Sequence, residues 1–345
     1  MTTKNYLKQI KEKLKNRIII ICSSSKAFSN FYYSVLSSDF SREHRSVLAG
    51  KAKYLTEIKS DKSSHYLMVR NIHRIEKGLL MRPLRETFAL GYIEETMDCF
   101  EKQWEENLIK NDGQLKWAYD VLRTYFVVTK NHSIINSEKE RFNKITMNLL
   151  ESNKAELIPY YNKPISNISY QEFFNLTKQR RSTRWFKNDK VPRDLIDKAI
   201  LAAMQSPSAC NRQPFEFRII DDEKLLKEIV ELPMGTAGYA HNIPVMIVVV
   251  GNLDAYFSER DRHLIYIDSS LANMALMLAF ETLGLSSCPV NWPDIEVREQ
   301  KMQTLLNLEK YQRPIMCLAV GYPDPEGKVA SSKKKDIDKI RFYNA

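Results

Sequence analysis

Two short runs, Pro244-Val-Met-Ile-Val-Val-Val250 and Pro314-Ile-Met-Cys-Leu-Ala-Val320, are continuously apolar rather than alternating. A strand reads this way when both of its faces are covered, so each run predicts a strand inside a layered fold. Between them lies Leu264–Leu285. Ala272, Ala275, Leu276, Leu278 and Ala279 make it apolar nearly all round, which predicts a central core helix. Upstream, Phe215–Ile220 alternates and predicts a half-buried strand. Pro192–Met204 predicts a helix with Pro192 in its first turn and Leu195, Ile196, Ala199, Ile200 and Ala203 on one face. Asp222–Leu232 predicts a shorter one. Strands mixed with helices indicate a layered α/β or α+β domain.

The chain has 345 residues, enough for roughly two domains. Residues 1–165 are charged and helical in rhythm, and residues 166–345 carry the strands. The stretch from Ile158 to Ser166, with Pro159 and Pro164, reads as the connector. In the first region Tyr66–Leu80 predicts a helix with Ile72, Ile75 and Leu79 on its apolar stripe. Arg70, His73, Arg74 and Lys77 share the opposite stripe. Helices are also expected near Leu90–Leu108 and Gln114–Thr129. The run Ile18-Ile-Ile-Ile-Cys22 reads as a buried strand or short core segment, being shorter than a signal-peptide core.

Hydrophobic residues make up 43% and charged residues 27%, which allows both a core and a solvated surface. The net charge of +10 fits many surface lysines, an anionic surface or phosphorylated ligands. No arginine-rich run interleaved with aromatics points to nucleic acid. The five cysteines, Cys22, Cys99, Cys210, Cys288 and Cys317, are odd in number and widely spaced. This disfavours a disulfide framework or a zinc site and fits a reducing compartment. No stretch approaches the ~20 apolar residues of a membrane helix. The expectation is a cytoplasmic protein with no membrane insertion and no bound metal. His73 and Glu76 alone make a surface contact rather than a ligand set. There is no Gly-x-Gly-x-x-Gly and no Walker loop.

Arg180-Arg-Ser-Thr-Arg184 gathers planar cationic forks and hydroxyls, the donors a phosphate needs; it also reads as a solvated basic turn. Trp185 and Phe186 would bury the chain just after it. The loop Ser206-Pro-Ser-Ala-Cys-Asn-Arg-Gln-Pro214 presents Asn211 and Gln213, amides that both donate and accept, or else serves as an Asn-capped connector. Asp268, Ser269, Ser270 and Asn273 interrupt the apolar helix, and a buried Asn273 needs a partner. The cluster Ser331-Ser-Lys-Lys-Lys335 reads by itself as a basic tail.

Taken in order, these four segments resemble the nitroreductase family. The loop matches the family pattern A-P-S-x-x-N-x-Q-P. Asp268 to Asn273 is similar to D-x-x-x-A-x-N, and Gly321-Tyr-Pro323 precedes the serine and basic tail as in family members. The resemblance covers about half the chain, from Phe173 onward. It implies an α+β, three-layer fold with a central mixed, mainly antiparallel sheet, carrying a largely helical N-terminal extension. It implies FMN, held by Arg180, Arg181, Ser182, Arg184, Pro207, Ser208, Ala209, Asn211, Gln213, Asn273, Ser287, Cys288, Ser332, Lys333 and Lys334. It further implies a homodimer, with the flavin rather than a protein nucleophile carrying the chemistry. Gly284–Trp292 resembles the family's loop against the flavin. Pro289-Val-Asn291 departs from the usual glycine-containing acidic dipeptide, and Pro289 has no N–H to donate. Asn71–Leu79 resembles the extension of nitroreductase-like proteins found with surface-polysaccharide genes.

The expected activity is electron transfer from NADH or NADPH through FMN to an unidentified small-molecule acceptor. Arg70, His73, Arg74 and Lys77 are candidate substrate contacts or a solvated helix face. Two alternatives stand beside this reading. One is an FMN-dependent dehydrogenase or desaturase acting on a sugar-linked or peptidyl substrate. The other is a flavin-fold binding or scaffold protein in envelope polysaccharide assembly.

Overall fold

A computed structural model describes residues 3–59, 65–107, 113–147 and 163–344. The N-terminal part is helical: α1 (Thr3–Cys22), α2 (Lys26–Phe31), α3 (Ser41–Lys59), α4 (His65–Leu79), α5 (Ile93–Asn107), α6 (Gly113–Val128) and α7 (Ser133–Thr146). α4 to α7 share a core built on Met68, Ile72 and Ile75 from α4, Ile93, Met97, Phe100 and Trp104 from α5, Leu122 and Tyr125 from α6, and Ile135 and Phe142 from α7. The expected helices therefore appear within a few residues of their sequence bounds. Residues 158–162 of the expected connector lie outside the described residues.

The Ile18–Cys22 run is not a buried strand or core segment. It ends α1, where Ile20 and Ile21 are 69% and 62% exposed. The physical reason is its setting: Leu7, Ile10 and Leu14 extend the apolar residues backward at helical spacing, so the run continues an amphipathic helix.

The second part contains α8 (Tyr170–Gln179), α9 (Arg193–Ala203), β1 (Phe215–Ile220), α10 (Glu223–Ile229), β2 (Val245–Asn252), α11 (Leu264–Thr282), β3 (Ser286–Asn291), α12 (Glu296–Leu306) and β4 (Gln312–Gly321). Among the described residues the strands form one sheet in the order β1-β2-β4-β3, with each neighbouring pair antiparallel. An isolated bridge between Ser182 and Ser287 adds one parallel pairing outside β3. The central strands β2 and β4 are the two continuously apolar runs.

Three layers follow from the alternation of side chains along β2. Val245 and Ile247 pack with Ile196 and Ala199 of α9 and Leu276 and Phe280 of α11. Met246, Val248 and Val250 face the other way, toward Ile229 of α10 and Met302 of α12. Against the expectation that no stretch approaches a membrane helix, α11 with its preceding turn, Glu259–Thr282, is long and apolar enough to cross one by length and composition, because small alanines and serines dilute its apolar run without adding charge. Here its inner face lies on the sheet.

The helical part is seated on this domain. A Cβ on Gly50 of α3 would sit 2.6 Å from the backbone carbonyl of Leu253, so glycine permits the contact. Arg42 forks onto Glu296 at 2.6 and 2.7 Å. Lys53 reaches Asp254 at 2.9 Å and the Tyr311 hydroxyl at 2.6 Å.

Candidate functional site

α8 starts with a reciprocal cap, in which Ser169 Oγ accepts from the Glu172 N–H and Glu172 accepts from the Ser169 N–H. It ends at Gln179, and Arg180 leaves the helix with ψ 113°. The chain then runs beside β3, where the Thr183 N–H donates to the Ser287 carbonyl at 3.1 Å. Phe186 is clamped from both sides: its N–H donates to Asn242 Oδ1 at 2.6 Å, and Asn242 Nδ2 donates to its carbonyl at 2.8 Å. Phe186 is buried, as expected, but Trp185 is 42% exposed. In an extended segment neighbouring side chains point to opposite faces, so only one of the pair enters the core.

The tail folds back over this segment. Arg180, Arg181, Ser182 and Arg184 together with Ala330, Ser331, Ser332 and Lys334 line a cavity of about 100 Å³. Segments nearly the length of the domain apart thus converge on one pocket with four cationic side chains and three hydroxyls. Lys333 is not in its lining. Ser332 holds a left-handed φ of 44°. Arg180 Nε and Ser287 Oγ are buried without a hydrogen-bond partner. Such orphaned donors are costly unless a further group satisfies them. Behind the cluster, burial pushes the Glu281 carboxyl up, and its hydrogen bonds from Gln179 and Ser286 and the Arg180 charge oppose that. Sequence reasoning missed Glu281, although an acid near the end of an apolar helix is a readable signal.

The 206–214 loop is held elsewhere. The Ala209 N–H donates to Asp268 Oδ2 at 2.9 Å, and the Gln213 N–H donates to Ser208 Oγ at 3.0 Å. Cys210, Asn211 and Gln213 all have positive φ, between 49° and 55°, which makes the loop a compact knot. Asn211 and Gln213 are half-buried, with Gln213 Nε2 3.4 Å from Asn211 Oδ1; Pro207 is exposed. Arg212, which the sequence did not single out, is buried beneath the loop and lies over the Tyr256 ring at 5.2 Å. Burial raises the Asp268 pKa, against the Ala209 hydrogen bond and the Arg212 charge.

Asp268 and Glu281 stand at opposite ends of α11. At 1.5 Å per residue the two are roughly 20 Å apart. Within one chain, the loop and the cationic cavity are therefore separated by most of that helix. Asn273 lies between them, 1% exposed, its Nδ2 3.7 Å from Met316 Sδ and its Oδ1 without a partner.

Gly284–Trp292 is not a loop over its length, because residues 286–291 form β3. Pro289 is tolerated there because β3 is a sheet edge, where a missing N–H breaks no ladder bond. Cys288 is 2% exposed, with its thiol 3.6 Å from the Tyr239 hydroxyl, so its side chain faces the core.

Arg70, His73, Arg74 and Lys77 share α4, which packs against the Ala209–Asn211 turn. Arg70 lies over Phe257 at 5.1 Å and Arg74 over Tyr92 at 3.6 Å. His73 Nδ1 is 3.5 Å from Glu76. Of the four, Lys77 is the one classed as exposed.

The second part of the chain is similar to known proteins. The model of the Nitroreductase family matches residues 177–238 and 230–322. A protein of Archaeoglobus fulgidus assigned as an NADH dehydrogenase/NAD(P)H nitroreductase is 30% identical over 159 residues, covering 45% of this chain and 88% of that protein. Human iodotyrosine deiodinase 1 is 26% identical over 201 residues, 49% of this chain and 68% of that protein. The solved structure of an FMN-dependent nitroreductase from Clostridium difficile is 24% identical, covering 50% of this chain and 99% of that one, with a TM-score of 0.43. The matched segment holds the sheet, both faces of helices and the start of the cationic cavity, and with nearly nine-tenths of an archaeal relative covered at this identity, the chain belongs to the nitroreductase family.

Proposed function

We propose that the protein is an FMN-dependent oxidoreductase that takes electrons from NADH or NADPH and delivers them to a small-molecule acceptor. The observation that carries this is the cavity joining Arg180–Arg184 to Ser332 and Lys334. Its donor set fits a phosphate monoester: arginine forks, a point-charge lysine and hydroxyls, with Arg180 Nε still unpaired. Arg180, Arg181, Ser182, Arg184, Ser332 and Lys334 would hold the phosphate, with Lys333 adding charge from outside the lining. FMN, when bound, supplies the hydride and electron chemistry, and the protein supplies position and electrostatics.

Pro207, Ser208, Ala209, Asn211 and Gln213 would meet the polar edge of the ring, with Asn273 supporting from beneath. Ser287 and Cys288 would border it through their backbone. The separation along α11 supports a site built from two chains, one giving the cavity and the other the loop. Ile267, Leu271 and Met274, spaced i, i+4, i+7 on α11 and 47%, 45% and 38% exposed, offer the apolar stripe for that homodimer. Residues 1–165 would form a helical unit bordering the loop through α4, where Arg70, His73, Arg74 and Lys77 shape access for an acceptor.

The test is to release the chromophore from purified protein and identify it by chromatography. The intact protein is then titrated with NADH and with NADPH while its visible spectrum is followed. The acceptor panel should hold a nitroaromatic, a quinone and an iodotyrosine, the last because human iodotyrosine deiodinase 1 is among the relatives. Recovery of FAD, or of no flavin after reconstitution, rejects the cofactor. Bound FMN that neither nicotinamide reduces rejects the donor.

A further inference from the structure

α1 has no use in the site described above, yet its sequence is far from random. Leu7, Ile10, Leu14, Ile18 and Ile21 fall at i, i+3, i+7, i+11 and i+14. At 100° per residue they occupy roughly 80° of the helix circumference, one narrow apolar stripe. The helix carries Lys4, Lys8, Lys11, Lys13, Lys15 and Arg17 against one acid, Glu12. By position, Lys11 and Lys15 border the stripe on one side and Arg17 and Lys13 on the other.

A soluble protein normally turns such a stripe inward. Here Leu7, Ile10, Leu14 and Ile21 are 56%, 45%, 58% and 62% exposed. Among the described residues α1 packs chiefly against the short α2. The apolar surface continues past the turn, where Ser29 Oγ bonds the Cys22 carbonyl, into Phe28, Phe31, Val35 and Leu36, each more than half exposed. An exposed apolar surface of this extent marks an interaction site.

We propose that α1 and α2 dock the protein on an anionic lipid surface, with α1 lying in the plane of the headgroups. Charge complementarity selects this occupant. A second copy of α1 would bring two dense lysine rows side by side, whereas an anionic leaflet neutralises them while the stripe enters the acyl boundary. The isoleucines and phenylalanines supply the apolar area, and the lysine rows supply attraction that fades within a Debye length. This inference is independent of the redox reading. It assigns the helical region a place of work, the membrane face, rather than a step in the reaction.

The test is co-sedimentation of the full-length protein with vesicles of phosphatidylcholine containing phosphatidylglycerol, compared with vesicles of phosphatidylcholine alone. Binding is expected to the anionic vesicles and to weaken as salt is added. The double substitution Lys11→Gln with Lys15→Gln should lower partition roughly tenfold to thirtyfold, since each lysine near the surface contributes about a fivefold factor. Leu14→Glu should abolish binding while circular dichroism and the visible spectrum stay as in the parent protein. The proposal is overturned if the protein ignores anionic vesicles, if it binds neutral vesicles equally well, or if Leu14→Glu leaves binding intact. It is equally overturned if Leu14→Glu lowers the sedimenting mass of a parent that never binds vesicles, because a second chain would then cover the stripe.

Discussion

Asp268 Oδ2 accepts the backbone N–H of Ala209 at 2.9 Å, and this one bond fixes the 206–214 loop to α11. Removing the acceptor leaves a half-buried donor unpaired. Asp268→Ala should cost about 1–3 kcal/mol of stability, read as a lower denaturation midpoint at unchanged slope. Asp268→Asn keeps an acceptor and should sit nearer the parent. The raised pKa of Asp268 means the folded state binds its proton more tightly than the unfolded state. Its contribution therefore declines as pH rises above the unfolded value of 3.8, and the Asn variant should lack that decline.

Arg180→Ala should weaken FMN binding about ten- to a hundredfold, the equivalent of one charged hydrogen bond of about 1.5–3 kcal/mol. Fluorescence titration of the deflavinated protein measures it. Wild-type affinity in both Arg180→Ala and Arg181→Ala would reduce the cluster to a surface turn.

Leu271→Glu places a charge in the exposed apolar stripe of α11. Sedimentation velocity should show a shift from dimer to monomer, with flavin lost at the same protein concentrations. A variant that remains a flavin-loaded dimer would mean that the chains meet through another face.

Gly50→Ala would drive a methyl group against the Leu253 backbone at 2.6 Å, where no side chain can swing aside. The overpacking should cost about 1–3 kcal/mol. Limited proteolysis should then cut the helical region sooner than the sheet domain. Equal protection of both would show that α3 does not depend on this contact.

The Arg42 hydrogen bonds pull the Glu296 pKa down to about 2 from 4.5. A depressed carboxylate contributes fully above its unfolded value and loses that contribution as pH falls from 4.5 toward 2. Glu296 is 54% exposed, so screening keeps the effect to about 1 kcal/mol or less. Glu296→Gln should flatten the acid limb of the stability curve by that amount.

The strands β2 and β4 and the helix α11 were readable because burial on several faces leaves a continuous apolar signature. β3 was not: Ser286-Ser-Cys-Pro-Val-Asn291 is an edge strand with a proline, and its identity comes from pairing with β4. Six of the eight residues lining the cationic cavity could be named through the family resemblance, but not Ala330 or Ser331, nor the exclusion of Lys333. The α4 cations illustrate the harder case. Their spacing placed them on one stripe, while the rings that engage them, Phe257 and Tyr92, come from other elements. Ile18–Ile21 misled for the opposite reason, because a short apolar run says nothing about whether anything covers it.

The Thr183–Ser287 bond lays the cationic segment along the outer rim of β3, the side that β4 leaves open. A bare rim of this kind is where strands of neighbouring molecules add to one another. Residues 182 and 183 act as a guard rail, and Ser182 also lines the cationic cavity. Loosening them would uncover a template for stacking, so light scattering should rise in step with any damage to that segment.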